Sequence, residues 1–347
     1  MKPCFKIVLF AVVCLQVAWA CACLASDSES GAAATPATAP QPAPVKIVTD
    51  TYFNLQVDDP YRYMENLSDP EVQAWAKSQA DYTRSILDRI PGRKELLERM
   101  QTIDEALSAR IWDVRRLPND IYFYLKRLPQ DNVFKLYVRN GLGGQERLLV
   151  DPDTYAKATG TPHAINYFEP SWDGTYMAYG ISAAGSEDAA IHVIETATGA
   201  EADKPIDRAQ FGEVNWRGDG KSFFYIRLQK LTEGMSPIER YQKSKVFLHV
   251  MGDDPDKDLA VLGHELSPLV KVETSDIPIV VTDPGSDYAA GIVAHGVQNE
   301  LTIYIAPVAS LGAADTPWKK VCDVEDAVTG ATAGGGHLYL LTHKDAP

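Results

Sequence analysis

The sequence is poor in positive charge. Its 347 residues include 33 lysines and arginines against 47 aspartates and glutamates, so the formal net charge is −14. A chain this acidic is badly suited to neutralising phosphates, and no nucleic-acid partner is expected. Its 45% hydrophobic and 23% charged residues resemble an average soluble protein, which excludes a wholly disordered or multi-span membrane chain. The length predicts two domains or one large one.

Cysteine is also scarce outside the N-terminus. Of five cysteines, only Cys322 lies in the body of the chain, and the others are Cys4, Cys14, Cys21 and Cys23. A disulfide framework is therefore excluded. We expect Cys322 to be a small buried residue rather than a nucleophile.

The N-terminus resembles a secretory signal peptide. Its features are a basic start, one apolar run and small residues near a cleavage site: Lys2, Lys6, the run Ile7–Ala20 interrupted by Gln16, and Ala18, Ala20 and Ala22. The run is short for a membrane span, so we expect residues 1–22 to be removed, rather than kept as an uncleaved anchor. Cys21 or Cys23 could carry a lipid, although neither lies in a good attachment box. The protein is thus expected to be exported, to the periplasm or medium, or tethered as a lipoprotein.

Residues 23–45 are predicted to be a disordered tether. Ten of the fourteen residues from Gly31 to Pro44 are alanine or proline. Such a stretch buries too little apolar surface to order itself and favours extended conformations.

Residues 46–105 are predicted to be a helical segment. Ser68-Asp69-Pro70-Glu71 is typical of a helix start, with a capping side chain and then proline in the first turn. One apolar face follows, consisting of Val72, Trp75, Tyr82, Ile86 and Ile90, before Pro91-Gly92 stops the helix. A second short helix is predicted over Lys94–Met100, with Leu96, Leu97 and Met100 facing inward.

From residue 106 to 347 the pattern changes to short alternating strands. The predicted strands are 121–125, 134–138, 176–179, 191–194, 223–226, 246–250, 301–305 and 338–341. A turn pair precedes one strand of each set, at Asn119-Asp120, Asp173-Gly174, Asp219-Gly220, Ser286-Asp287 and Gly335-Gly336. A repeat of about 50 residues with several strands is typical of a β-propeller. A β-sandwich with coincidental spacing is the alternative.

The sequence therefore predicts a mainly β fold. The turn pairs mark four complete sets of strands and the first half of a fifth set. We therefore expect an incomplete β-propeller of about four and a half blades, preceded by the α-helical segment.

Several motifs resemble the prolyl oligopeptidase family. Asp59-Pro60-Tyr61-Arg62-Tyr63-Met64-Glu65 is similar to that family's Asp-Pro-Tyr-Arg-Trp-Leu-Glu opening, with Tyr63 where tryptophan is usual. The strand phrases at 173–179, 191–199, 216–225 and 245–250 also resemble the family in order and spacing. The resemblance covers about residues 46–347.

This resemblance implies a serine endopeptidase that cleaves short peptides after proline. Family members pair a seven-bladed propeller, which filters substrates by size, with an α/β-hydrolase domain that carries a Ser, Asp, His triad and lies mostly after the propeller. On that pattern about two and a half blades and the catalytic domain are missing here, so we expect this chain to be inactive. A hydrolase domain or a second copy would then cover the open faces.

The residues themselves favour the absence of a nucleophile. A hydrolase elbow needs glycine two residues before and two after its serine, and no serine has both. The nearest approaches to the pattern are Ser182, Ser222, Ser236 and Ser310. The seven histidines are scattered, and we assign no catalytic, cofactor-binding or metal-binding residue. A stand-alone propeller-like binding module without catalysis remains the alternative function.

One acidic stretch partly fits a calcium loop. Asp254, Asp256 and Asp258 alternate, and Glu265 falls at the twelfth position, but Leu259 stands where the sharp turn needs glycine. We expect a solvated acidic connector there rather than a metal site.

Overall fold

The computed structural model describes residues 39–312 and 315–345. The predicted signal peptide (1–22) and residues 23–38 of the predicted tether lie outside the described residues. The chain divides into two compact units, with the boundary between Ser108 and Ala109. No helix within the described ranges is long and apolar enough to cross a membrane.

The first unit opens with an irregular segment and a β-hairpin. Residues 39–47 have no regular secondary structure, yet the Trp75 indole and Tyr63 hydroxyl donate hydrogen bonds to the carbonyls of Gln41 and Pro44, at 3.2 and 2.8 Å. Strands β1 (Val48–Tyr52) and β2 (Leu55–Asp59) then pair through a turn in which Phe53 and Asn54 have positive φ. The segment 46–105 is therefore not purely helical. The strands are largely exposed, so they carry little of the apolar alternation that would reveal them.

Two helices follow the hairpin. Helix α1 (Pro70–Leu87) starts as predicted, with Asp69 accepting from the Glu71 amide at 2.8 Å, but it ends before Ile90. Helix α2 spans Arg93–Glu105, beyond the predicted 94–100, and it has no buried residue. The prediction that its apolar residues face inward is wrong: Leu96, Leu97 and Met100 are 60%, 43% and 44% exposed. Periodicity identifies an apolar face but does not supply a neighbour to cover it.

The second unit contains five antiparallel sheets, each a sequential meander. Sheet 1 comprises β3 (Arg110–Arg116), β4 (Ile121–Arg127), β5 (Lys135–Asn140) and β6 (Arg147–Val150). Helix α3 (Pro152–Thr159) leads into sheet 2, which comprises β7 (His163–Pro170), β8 (Tyr176–Ala183) and β9 (Ala190–Glu195).

The remaining sheets follow in chain order. Sheet 3 comprises β10 (Asn215–Trp216), β11 (Ser222–Arg227), β12 (Lys245–Val250) and β13 (Leu259–Gly263). Sheet 4 comprises β14 (Ile277–Thr282), β15 (Tyr288–Ala294), β16 (Leu301–Pro307) and β17 (Lys319–Cys322). Sheet 5 comprises β18 (Val328–Gly334) and β19 (His337–Thr342).

This order confirms the predicted mainly β fold with four sheets and half of a fifth. Sheet 2 has three regular strands, and isolated bridges from Ile191 to Ile206 and from Ile194 to Glu201 occupy the fourth position. Helix α3 was not predicted, although Asp151 caps it, Pro152 begins it and Gly160 ends it in a left-handed conformation.

The hydrophobic core lies between neighbouring sheets. Phe123 and Leu136 of sheet 1 pack with Phe168 and Met177 of sheet 2 in one cluster. Separate clusters join sheets 2 and 3, sheets 3 and 4, and sheets 4 and 5. Each sheet therefore depends on the next for burial, which is the packing expected of successive blades.

The repeated turn pairs also take part in this packing. In the β7–β8 turn, Asn119 of the preceding sheet donates to the Asp173 carbonyl at 3.0 Å. Gly174 has φ +77°, and a Cβ there would lie 3.0 Å from Leu117 Cδ1 and 3.1 Å from Ile121 Cδ1. Glycine is required both for the backbone conformation and for the close approach of sheet 1.

We predict that Gly174→Ala destabilises the protein by about 1–3 kcal/mol more than Gly199→Ala, because overpacking a core contact costs that much. Gly199 is a matched control, since its φ is +75° but no atom lies within 4 Å of a Cβ built there. Urea unfolding of both variants measures the difference. Equal losses would show that sheet 1 does not press against this turn.

Candidate functional site

Three charged side chains from successive sheets lie near one another. Arg115 of β3 lies with its Nε 3.7 Å from Oε2 of Glu169 in β7, and Glu213, just before β10, lies within electrostatic reach of both. The first two residues lie on the first strands of sheets 1 and 2, and the third lies two residues before the first strand of sheet 3.

Burial and like charge control the protonation of these carboxyl groups. Burial raises the pKa of Glu169 to about 7; Arg115 opposes the shift, while Asp113 and Glu213 reinforce it. Burial also raises the pKa of Glu213. About a quarter of the Glu169 side chain stays accessible to solvent.

A second charged cluster is fully buried between sheets 2 and 3. The imidazole of His249 in β12 is 0% exposed. Its Nε2 lies 3.1 Å from Asp203 Oδ2, and its Nδ1 lies 2.9 Å from Asp258 Oδ2. Asp258 also accepts from the Tyr225 hydroxyl at 2.8 Å, and Asp203 accepts from the Gly252 amide at 2.9 Å.

The two carboxylates favour the cationic form of His249. Burial acts to lower its pKa, but the hydrogen bonds and charges of Asp258 and Asp203 outweigh burial, so the pKa of His249 is raised. With both ring nitrogens facing carboxylates, the imidazolium donates in both directions. Asp203 belongs to the segment after β9, so this ion triad ties sheet 2 to sheet 3.

A neighbouring arginine joins the same two sheets. Arg227 of β11, 9% exposed, pairs with Asp207 of the segment after β9 and with Asp256 at 2.8 Å. Its Nη1 donates to the Pro255 carbonyl at 2.8 Å. The boundary between sheets 2 and 3 therefore contains two charged links beside its apolar cluster.

Each serine closest to the elbow pattern has a local place in the β structure. Ser182 lies in β8, and Ser222 begins β11 with its hydroxyl donating to Asp219 at 2.6 Å. Ser236 precedes the 3-10 turn Pro237–Tyr241, and the Ser310 hydroxyl donates to the Pro307 carbonyl at 2.8 Å. The assignment of no catalytic residue stays a prediction.

The carboxylates of the partial calcium loop point to different partners. Asp254 caps the turn Pro255–Lys257, Asp258 holds His249, and Glu265 pairs with His264 at 3.7 Å. Within the described residues, no group of three or more His, Cys, Asp or Glu side chains could hold a metal ion. Cys322 is buried, as expected, and burial raises the pKa of its thiol.

Successive antiparallel sheets with shared cores define the class: a β-propeller domain, of which the described residues form four sheets and a half. The sequence model of the family described as "Prolyl oligopeptidase, N-terminal beta-propeller domain" matches residues 40–347, and the chain belongs to this family.

Sequence similarity to individual proteins agrees with this family assignment. The chain is 27% identical over 310 residues to a prolyl endopeptidase from Elizabethkingia meningoseptica, covering 86% of this chain and 40% of that protein. It is 28% identical over 326 residues to prolyl oligopeptidase A from Galerina marginata, covering 85% and 42%. The chain therefore spans less than half the length of these relatives.

A solved structure supports the same fold. Prolyl oligopeptidase B from Galerina marginata, bound to a 25mer macrocyclization substrate, superposes with a TM-score of 0.71 at 19% identity, covering 90% of this chain and 45% of that one. At this identity the likeness concerns the fold alone.

Sequence reasoning missed both charged clusters. His249 and Asp203 are 46 positions apart, and Arg115 and Glu169 belong to different repeats. The one available signal was the placement of Asp258 two residues after Asp256 in a stretch interpreted as a solvated connector. The structure instead buries the Asp258 side chain, which is 3% exposed.

We predict that His249→Gln destabilises the protein by about 3–5 kcal/mol, because it leaves two buried carboxylates without their cation. The pKa of His249 is raised, so its contribution is fully present below the unfolded value of 6.5 and is lost as pH rises through the folded value. Urea unfolding of wild type and variant across pH 6–9 measures both effects.

The control for this experiment is His337→Gln, which removes an exposed histidine in β19. It should leave both the unfolding free energy and its pH dependence nearly unchanged. A His249→Gln protein with wild-type stability, or with the wild-type loss of stability at high pH, would contradict the buried imidazolium.

Proposed function

We propose that this chain is the propeller portion of an exported, prolyl oligopeptidase-like serine endopeptidase and controls the access of short proline-containing peptides. The observation that carries the proposal is the family match over residues 40–347. Two relatives whose alignments cover most of this chain are named prolyl endopeptidase and prolyl oligopeptidase A.

Three charged residues support a role in substrate passage. Arg115 and Glu169 lie on the first strands of sheets 1 and 2, and Glu213 lies just before the first strand of sheet 3. On this proposal a peptide that passes these first strands would meet all three charged side chains, which offer it ion-pair and hydrogen-bond partners. Folded substrates would be excluded by size.

Catalysis on this proposal needs a hydrolase domain that these residues do not supply. No serine of the sequence has glycine both two residues before and two after it. The exposed apolar residues of α2, including Leu96, Leu97 and Ile103, support a covering partner. A hydrolase domain is the partner that we favour, and a second copy of the chain is the other.

We predict that the purified chain neither cleaves a proline-containing chromogenic peptide nor reacts with a fluorophosphonate serine probe. The physical reason is the lack of a strained elbow that would activate a serine. The prolyl endopeptidase of Elizabethkingia meningoseptica serves as the positive control in the same assays. Stoichiometric labelling of any serine of this chain would overturn the proposal of inactivity.

Export is a separate part of the proposal. The basic start, apolar run and small residues of positions 1–22 support removal of a signal peptide, with Cys21 or Cys23 as a candidate lipid attachment point. We predict that N-terminal sequencing of the exported protein begins near Cys21 or Cys23, and mass spectrometry reports any lipid. Recovery of intact Met1 in the soluble exported fraction would contradict cleavage.

A further inference from the structure

A cavity lies between sheets 1 and 2 at the end that carries the Asp173-Gly174 turn. Its volume is about 380 Å³, within the range of small-molecule sites. The wall combines the ends of β5 and β9 with the start of β6, and its polar side chains include Arg139, Arg147, Asp173, Glu195 and Thr196. It is distinct from the charged residues of the first strands.

Two buried polar atoms of this wall have no hydrogen-bond partner among the residues that the structure describes. They are Nε of Arg139 and the hydroxyl oxygen of Thr196. Thr196 is only 8% exposed. Buried polar atoms are nearly always paired, because an unpaired one forfeits its hydration without replacement. Both atoms belong to residues that line the cavity, and both can donate to a ligand that carries hydrogen-bond acceptors.

The acidic groups nearby already have donors. The Asp173 carboxylate accepts from the hydroxyls of Ser171 and Thr175 at 2.7 and 2.6 Å, and from the Thr175 amide at 2.9 Å. Glu195 accepts from the Thr198 hydroxyl at 2.7 Å. These bonds hold both carboxylates within their own turns.

The arginines are held in place but not neutralised by hydrogen-bonded carboxylates. The Arg139 guanidinium lies over the rings of Tyr122 and Tyr124, 5.9 and 5.6 Å from their centroids. A hydrogen bond from Lys126 and, to a smaller extent, the charge of Arg139 lower the pKa of Glu146. The carboxylate oxygens of Glu146 nevertheless accept their hydrogen bonds from the Tyr124 hydroxyl and the Lys126 ammonium group.

Arg147, the first residue of β6, lies in the same wall. It donates to the Thr196 carbonyl across the two sheets, which fixes its guanidinium beside the unpaired Thr196 hydroxyl. The wall therefore carries two guanidinium and two carboxylate groups, and it is the arginine side, with Arg139 Nε and the Thr196 hydroxyl, that retains unused donors. Guanidinium donors of this kind suit planar or tetrahedral oxyanions.

We propose that this cavity binds a small oxyanion, a carboxylate or phosphate, through Arg139 Nε and the Thr196 hydroxyl, with Arg147 adding charge. A ligand held in this way contacts sheet 1 and sheet 2 together. It binds the folded chain and not the unfolded one, so it raises the melting temperature in a concentration-dependent manner.

The test is titration of the full chain with sodium acetate and, separately, inorganic phosphate, at constant ionic strength maintained with sodium chloride. Calorimetry and thermal unfolding are both recorded. We expect saturable binding of at least one oxyanion, and the two arms distinguish carboxylate from phosphate. The absence of saturable binding of either would overturn the proposal and leave water as the occupant.

Variants locate the site. Arg139→Gln and Thr196→Val should each weaken binding about tenfold or more, the effect expected from losing a hydrogen bond to a charged group. Thr196→Ser should restore it, because the hydroxyl returns. Arg99→Gln removes one exposed positive charge from α2 and is the matched control. Since Thr196→Val keeps the side-chain shape, it tests the site even if Arg139→Gln fails to fold.

The result that would contradict the assignment is equally specific. Binding of wild-type strength in folded Thr196→Val and Arg139→Gln, or equal weakening by Arg99→Gln, would mean that the oxyanion acts elsewhere or through general charge. Either outcome overturns the proposal.

Discussion

Face-to-face burial of each sheet against its neighbours is the constraint on which the second unit depends. Strand β11 shows it most fully, since all six residues of Ser222–Arg227 are buried. A strand buried on both faces cannot present a solvated side, so it needs an apolar sheet in front and another behind. The clusters shared by successive sheets meet this need. Strand β19 shows the opposite case, with Tyr339 and Leu341 58% and 68% exposed.

Apolar contact alone would allow neighbouring sheets to slide past each other, because hydrophobic burial is not directional. The hydrogen bonds and ion pairs between sheets are directional. The Asn119 amide reaches one particular carbonyl in the next turn, and His249 fits between two carboxylates on different sheets. Burying such charges is costly, and the gain is best understood as a fixed register between sheets.

The repeated turns and alternating strands made the architecture predictable, because each repeat carries its own local signals. Asp173-Gly174 is recognisable as a turn from the local sequence alone, and Asp69-Pro70 predicts the start of α1 in the same way. The burial of helix faces was less predictable: Leu96 and Met100 have the right spacing but are exposed. The hairpin β1–β2 escaped notice because Thr49, Asp50 and Thr51 carry almost no apolar alternation.

The charged clusters were beyond sequence reasoning for a different reason. Each joins residues from separate repeats, and only the stacking of sheets decides which side chains meet. Arg115 pairs with Glu169 because both residues lie on the first strands of neighbouring sheets. Arg139 and Thr196 line one cavity because the ends of β5 and β9 are adjacent. The repeat thus determines the scaffold, while residues that differ between repeats determine what each boundary can bind. In this propeller domain, the polar and charged side chains that distinguish one sheet from the next lie at the boundaries between sheets.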